Sequence, residues 1–493
     1  MKKINLKIIL LALILSGISC TEKLMLNPVS QISNATFWKT EDDANGALYG
    51  MYVRLRDQTV SNYFIWGEAR SETMARSPGG ADGKDVYYEN RLTSINSGPT
   101  WQGLYTIVHD ANLILKYAPG IAFTNEANKN KILAQAHAMR AFVYFVLVRT
   151  WGEVPIVTEP TEGYTAETIQ KERAKKEDIF ALIKSDIAGA EKLFPDNSFN
   201  TGRYLWSQPA LYALKADVFL WTAKKMNGGQ ADFEVALNAL NEVEKSDVAL
   251  LDNFGRIFDF DNKGNKEVVM AVRYQDIEAP ENEYRNMYTY PNLTPTNIDQ
   301  ETKDALGVLV GSYSVWSPSA TVRSQFTVDD QRKNASFIEI YTNEANGTKA
   351  YYSSVVYKFN GVVISGVRKF IDDIVLYRYA DVLLMKAEAK NALGQDPSPE
   401  INKVRQRAYG SSFAKHTYIN DTKVKNDEAI LKERLLELAF EGKRWWDLAR
   451  FDKAFELVPS LKPQVGKNYL MLFPISETTL SLEPKVVQNE GYN

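Results

Sequence analysis

Apolar residues recur along this chain mostly at helical spacing. Over 34–57, Phe37, Ala44, Leu48, Met51 and Leu55 share one side of a predicted helix. Over 131–150, in the stretch ILAQAHAMRAFVYFVLVRTWG, the chain is apolar nearly all round, which predicts a helix buried on most faces. That helix should stop at Trp151-Gly152 and the turn at Pro155. An amphipathic helix over 178–194 follows, ended by Pro195. Ser207 before Gln208-Pro209 reads as a helix start, with a hydroxyl to cap free N–H groups and a proline where its missing N–H costs nothing. This helix is expected to reach about Met226, to break at Gly228-Gly229 and to be followed by a second over 231–245. Another such pair is predicted at 375–393 and 400–408, interrupted by Gly394, Pro397 and Pro399. The second helices share similar strings, Leu240-Asn241-Glu242-Val243 and Ile401-Asn402-Lys403-Val404. Helix pairs of roughly 34 to 37 residues are the length class of tetratricopeptide arrays. The expected fold class is therefore mainly α, built of tetratricopeptide-like helical hairpins with long irregular loops and minor β. The β is expected as a short strand pair over 355–369, around Gly361 and Gly366.

The N-terminus carries a different signal. Lys2 and Lys3 precede an apolar run over 8–18 that ends in small residues before Cys20, the only cysteine of 493 residues. The run is about 11 residues, well short of the roughly 20 that a helix needs to span a bilayer. It is read as a secretory signal over 1–19, followed by a polar tether over 20–33 and a body over 34–493. A lone cysteine at this junction is similar to the lipidation site of bacterial lipoproteins, although Gly17 and Ile18 depart from the usual residues before it. Acylation of Cys20 with more than one chain would give stable anchoring. Plain secretion with a free thiol is the alternative.

Composition narrows the function classes. The formal charge of −3 becomes about −6 once Lys2, Lys3 and Lys7 leave with the signal, and no basic run remains, so nucleic acid is not an expected partner. Apolar residues at 45% place the chain among ordered globular proteins. The three histidines, His109, His137 and His416, are far apart in sequence, and no phosphate loop, nucleophile elbow or zinc spacing occurs. His137 is expected to be a satisfied core residue, and no cofactor or metal is expected. Glu437 and Glu441, four apart on a predicted helix, are the one carboxylate pair that could suggest a glycoside hydrolase. Arg434, Arg444 and Arg450 lie three residues from Glu437, Glu441 and Asp447, which favours helix ion pairs instead.

Two long stretches escape the helical frame. One, over 71–98, is polar and glycine-rich, and holds Tyr87 and Tyr88 with Asn90, Arg91 and Asn96. The other, over 276–318, is punctuated by prolines and holds Tyr284, Tyr288, Tyr290, Tyr313 and Trp316. Irregular segments of this length are usually functional or disordered. A sugar ring asks for a flat aromatic under its C–H face and for polar groups around its hydroxyl rim, and both stretches supply that mixture. Tyr87, Tyr88, Asn96, Tyr288, Tyr290 and Trp316 are the candidate glycan-binding residues. The other reading is that these rings pack the loops onto the helical body.

The chain resembles the SusD/RagB family of outer-membrane lipoproteins. The resemblance rests on Phe37-Trp38 with Asp43-Ala44, on Trp101 through Tyr105 to Ala111-Asn112, and on Arg140-Ala141-Phe142 running to Trp151-Gly152 and Val154-Pro155. It continues in Tyr379-Ala380-Asp381, Lys386 to Ala389, Ile401-Asn402 with Val404-Arg405, Arg434 to Leu448, and Phe473-Pro474-Ile475 to Tyr492. Ser476 and Glu490 stand where prolines are usual. The resemblance implies a non-catalytic surface lipoprotein, anchored in the outer membrane, that captures oligosaccharides and delivers them to a SusC-type TonB-dependent transporter. It also implies that ligand is bound by the segments at 71–98 and 276–318. A peptide-binding member of the same family and a surface-anchored glycoside hydrolase are the alternatives.

Overall fold

The computed structural model describes residues 37–163, 165 and 169–492. The expected signal segment, the tether and Cys20 lie outside the described residues. Helix α1 (Glu41–Thr59) begins at a reciprocal cap, in which Thr40 Oγ1 accepts from the Asp43 N–H and the Asp43 carboxylate accepts from the Thr40 N–H. Ala44, Leu48, Met51 and Leu55 are buried on its inner side, whereas Phe37 precedes it, because the cap and not the apolar spacing sets the start.

After α2 (Asn62–Gly67), β1 (Met74–Arg76), α3 (Asp85–Tyr88) and α4 (Gln102–Tyr117) comes α5 (Glu126–Trp151), which turns off at Gly152 in the left-handed region. Helix α5 is long and apolar enough to cross a membrane by composition, yet 83% of its apolar window is buried against neighbouring elements. It packs on α4 and on α6 (Lys176–Leu193), as its all-round apolar surface requires.

Two helical hairpins form the next layer. In the first, α7 (Gln208–Lys225) starts at Ser207, whose Oγ accepts from the Ala210 N–H, and α8 (Gly229–Glu244) packs back along it. Strand β2 (Val268–Val272), α9 (Gln300–Leu306), β3 (Trp316–Pro318), the hairpin β4 (Phe337–Asn343) and β5 (Lys349–Val356), and the smaller hairpin β6 (Val362–Ile364) and β7 (Val367–Lys369) lie between it and the second. Strand β8 (Ile374–Arg378) leads directly into α10 (Tyr379–Ala392), which pairs with α11 (Ser398–Tyr409). Helix α8 of the first hairpin packs on α10 of the second, and α12 (Lys423–Leu438) packs on the other side of α10, before the short α13 (Arg444–Arg450). This stacking of helix pairs is the tetratricopeptide-like arrangement expected from the spacing.

Two expectations need correction. Residues 375–378 are not helical: they belong to β8, antiparallel to β2 with Val272 opposite Ile374 and Val268 opposite Arg378. Both strands are buried along their whole length, and an uninterrupted apolar run carries no period by which to tell strand from helix. The predicted strand pair is β6–β7, which turns at Ser365-Gly366 with both residues at positive φ, but the longer hairpin β4–β5 starts well before the stretch that suggested strands.

Candidate functional site

The two irregular segments meet. Strand β1 from the first pairs antiparallel with β3 from the second, with Met74 opposite Pro318 and Arg76 opposite Trp316. The seam continues as Ser77 Oγ donates to Ser314 O at 2.5 Å, while the Ser319 N–H donates to Thr73 O at 2.9 Å. A Cβ at Gly79 would stand 2.0 Å from Ser314 O, so only glycine admits this approach of the two main chains. Farther along, the N–H groups of Tyr313 and Val315 donate to the carbonyls of Arg285 and Asn286. The β4–β5 hairpin is pinned alongside, with the Tyr352 hydroxyl donating to Leu293 O at 2.6 Å and Ser354 Oγ to Pro318 O at 3.1 Å.

The seam decides which rings face solvent. Trp316 is 1% exposed, edge-on to Phe64 at 5.5 Å and tilted against Tyr87 at 6.3 Å. Tyr288 is also 1% exposed; its hydroxyl donates to Leu306 O and the Arg368 guanidinium lies 4.7 Å from its ring centre. Tyr87 is buried beside Gly98, and burial together with the Glu283 carboxylate pushes its hydroxyl up to about 12. These three candidates are corrected: their faces are covered by other side chains, so they shape the surface from below and cannot stack on a sugar. Tyr284 and Asn90 are buried too. The Tyr284 ring stacks on Phe359 at 4.2 Å, and Asn90 exchanges hydrogen bonds with Arg70.

Tyr290, Tyr88 and Asn96 keep access to solvent, Tyr290 at 38% exposure, Tyr88 half-buried and Asn96 exposed. Burial and the Asp85 carboxylate push the Tyr88 hydroxyl up, and Arg76 and Arg91 oppose the shift. Its carbonyl accepts from Ser460 Oγ, whereas Asn96 closes its own turn with Thr93. Tyr313, at 48% exposure, is the most open ring of the seam, and the Arg285 guanidinium covers one face at 4.3 Å. The neighbouring hairpin adds Tyr351, 43% exposed, with Arg323 4.0 Å from its ring centre and Tyr341 edge-on to it. Sequence reasoning missed Tyr351, Arg285 and Arg323. The aromatic and β-branched residues of KAYYSSVV could have flagged a strand at Tyr351, but an arginine and a ring far apart in sequence give no local sign of their stacking.

The carboxylate pair has a structural role. Glu437 is 0% exposed and bound by Arg378, Arg332 and Arg407; Glu441, also buried, is bound by Arg378 and Lys358. Burial alone would raise Glu437, but Arg407, Arg378 and Arg332 outweigh it and hold the carboxyl below its usual range. The partners differ from those expected: Arg434 pairs with Asp381 and Asp447, and Arg444 with Glu72, leaving only Arg450–Asp447 as predicted. Helix α12 ends at Leu438, so Glu441 lies past it in a turn. His137 bonds to Asp186, which Arg140 also holds. His109 and His416, which show no partner in the sequence, meet the Thr161 N–H and Asp329 respectively. Among the described residues no group of three or more His, Cys, Asp or Glu side chains could hold a metal ion.

A family model described as "SusD family" matches residues 312–492, and one described as "Starch-binding associating with outer membrane" matches residues 42–220. "SusD-like protein P38" of Formosa agariphila is 29% identical to this chain, the alignment covering 100% of both. The solved structure of B. fragilis NanU is similar at TM-score 0.85 with 32% identity, covering 95% of this chain and 100% of that one. A solved "Laminarin binding SusD-like protein" shares the fold at TM-score 0.75 with 22% identity, covering 92% of this chain and 100% of that one.

Proposed function

The chain belongs to the SusD family, and on that premise we propose that it captures oligosaccharides at the outer membrane and delivers them, uncleaved, to a SusC-type TonB-dependent transporter. The observation that carries this reading is the seam of the two irregular segments, which leaves Tyr290 and Tyr313 open to solvent, with Arg285 stacked on one face of Tyr313. Flat open rings with a guanidinium beside one of them suit the apolar face and hydroxyl rim of a sugar. The buried, fully paired state of Glu437 and Glu441 supports binding over hydrolysis. Lipidation at Cys20, a tether over 20–33 and a single body over 34–493 complete the proposal.

Energetics favour weak capture. A few stacked rings contribute about 0.5–1.5 kcal/mol each, against an association cost of at least about 4 kcal/mol, which places affinity on the order of micromolar to millimolar. Closure of the transporter over the ligand would add contacts that neither partner makes alone. The test is to screen the full chain against plant, host and microbial polysaccharides, following both retention and reducing ends. Retention without new reducing ends, weakened about two- to tenfold in Tyr290→Ala, is the expected result. Release of reducing ends, or retention of peptides and no glycan, would overturn the proposal.

A further inference from the structure

Away from the seam, a cleft of about 430 Å³ opens beside α1, lined by Tyr49, Tyr52, Arg56, Tyr204, Arg273 and Glu278 among others. That volume falls within the range of about 300–1,000 Å³ typical of small-molecule sites. Its floor is fixed: the Tyr52 hydroxyl donates to Gln135 Oε1 at 2.9 Å and accepts from the Trp206 N–H at 2.7 Å. Its wall is open. Tyr49 is 53% exposed and Val53, one turn on, is 45% exposed, so an apolar strip on α1 stands uncovered at the cleft mouth. Tyr204 is half-buried, with the Arg273 guanidinium 5.4 Å from its ring centre.

The charges in the cleft are held by the protein. Arg273 Nη2 lies 3.0 Å from Glu278 Oε1, and Arg56 Nη2 donates to the Glu278 carbonyl at 2.8 Å. The Arg56 fork is taken by the carbonyls of Arg273 and Glu278, and the Glu278 carboxylate beside Arg273 offsets its charge, which disfavours an anionic ligand here. What the cleft offers is flat phenol rings, short apolar walls and peripheral hydrogen-bonding groups.

We propose that the Tyr49–Tyr52–Tyr204 cleft is a second binding site, for a neutral glycan, distinct from the seam around Tyr290 and Tyr313. This rests on the glycan-binding reading above and extends it. The cleft shares none of the seam's rings, so one polymer engaging both places would be retained more strongly than either place retains it alone.

The test is calorimetric titration of the full chain with maltotriose and laminaritriose, probes short enough to fill one place at a time. The unaltered protein is expected to show two classes of site. Tyr49→Ala should weaken one class about two- to tenfold, Tyr49→Phe should restore it because the ring is kept, and Tyr290→Ala should affect the other class. Tyr204→Ala is a second probe of the cleft, but its ring packs on Gly202, so the exposed Tyr49 provides the variant that leaves folding undisturbed. Binding unchanged in both Tyr49→Ala and Tyr204→Ala overturns the cleft and leaves the seam standing. Binding that responds to Tyr49→Ala and not to Tyr290→Ala supports the cleft and overturns the seam. Absence of heat with both probes overturns the assignment to neutral glucans at either place.

Discussion

Trp316 and Tyr290 come from one proline-rich segment and do opposite work. Trp316 fills the space between Phe64 and Tyr87, so Trp316→Ala should cost about 3–5 kcal/mol of stability by leaving a cavity. Tyr290 is exposed, and its replacement by alanine should change stability by no more than about 0.5 kcal/mol. Urea unfolding of the two variants checks the contrast, and equal midpoints would count against the assignment of roles. Glu68 gives a pH prediction. It is 0% exposed and its carboxylate accepts from the N–H groups of Phe440, Gly442 and Lys443, yet burial outweighs these contacts and raises it to about 7 from an ordinary 4.5. Between those values the folded protein holds a proton that the unfolded chain has released. Stability from this group is therefore greatest below about 4.5 and declines as pH rises towards about 7, by about 3 kcal/mol. Asp372, also raised to about 7 by burial, acts in the same direction. Glu68→Gln should flatten its share of the slope, and an unchanged pH profile of unfolding would refute the account.

At the level of elements, the helices with a clear apolar stripe or a clear cap were legible in the chain. Ser207 with Pro209 marks the start of α7, and Gly152 marks the end of α5, because caps are local chemistry. Strand β8 was not legible, since its partner β2 lies about a hundred residues away and its apolar run is buried on both faces. The junction of β8 and α10 is fixed by Arg378, which is 0% exposed and reaches Glu267, Glu437 and Glu441 at once. Replacing it with methionine leaves these carboxylates short of a counter-charge in the interior. Arg378→Met should lose about 3–5 kcal/mol in denaturant unfolding. A loss of less than about 1 kcal/mol would mean that Arg332, Arg407 and Lys358 suffice without it.

For the molecule as a whole, the prediction concerns attachment. Cys20→Ser removes the thiol that acylation needs, and the protein should move from the membrane fraction to the soluble fraction with its glycan affinity unchanged; retention in the membrane would refute lipid anchoring at this residue. The candidate site was half legible. Its two segments stand out in the chain because they lack periodicity and hold many rings. Which rings remain open depends on β1–β3 pairing and on the packing of β4–β5, both long-range contacts with no local signature. Periodicity, caps and breakers are carried within a few residues, so the order of residues alone set the helical hairpins and most of their boundaries, the start of α10 excepted. Exposure is a property of what arrives from elsewhere in the chain, so only the folded arrangement buried Trp316, Tyr288 and Tyr87, left Tyr290 and Tyr313 partly open to solvent, and opened the cleft at Tyr49.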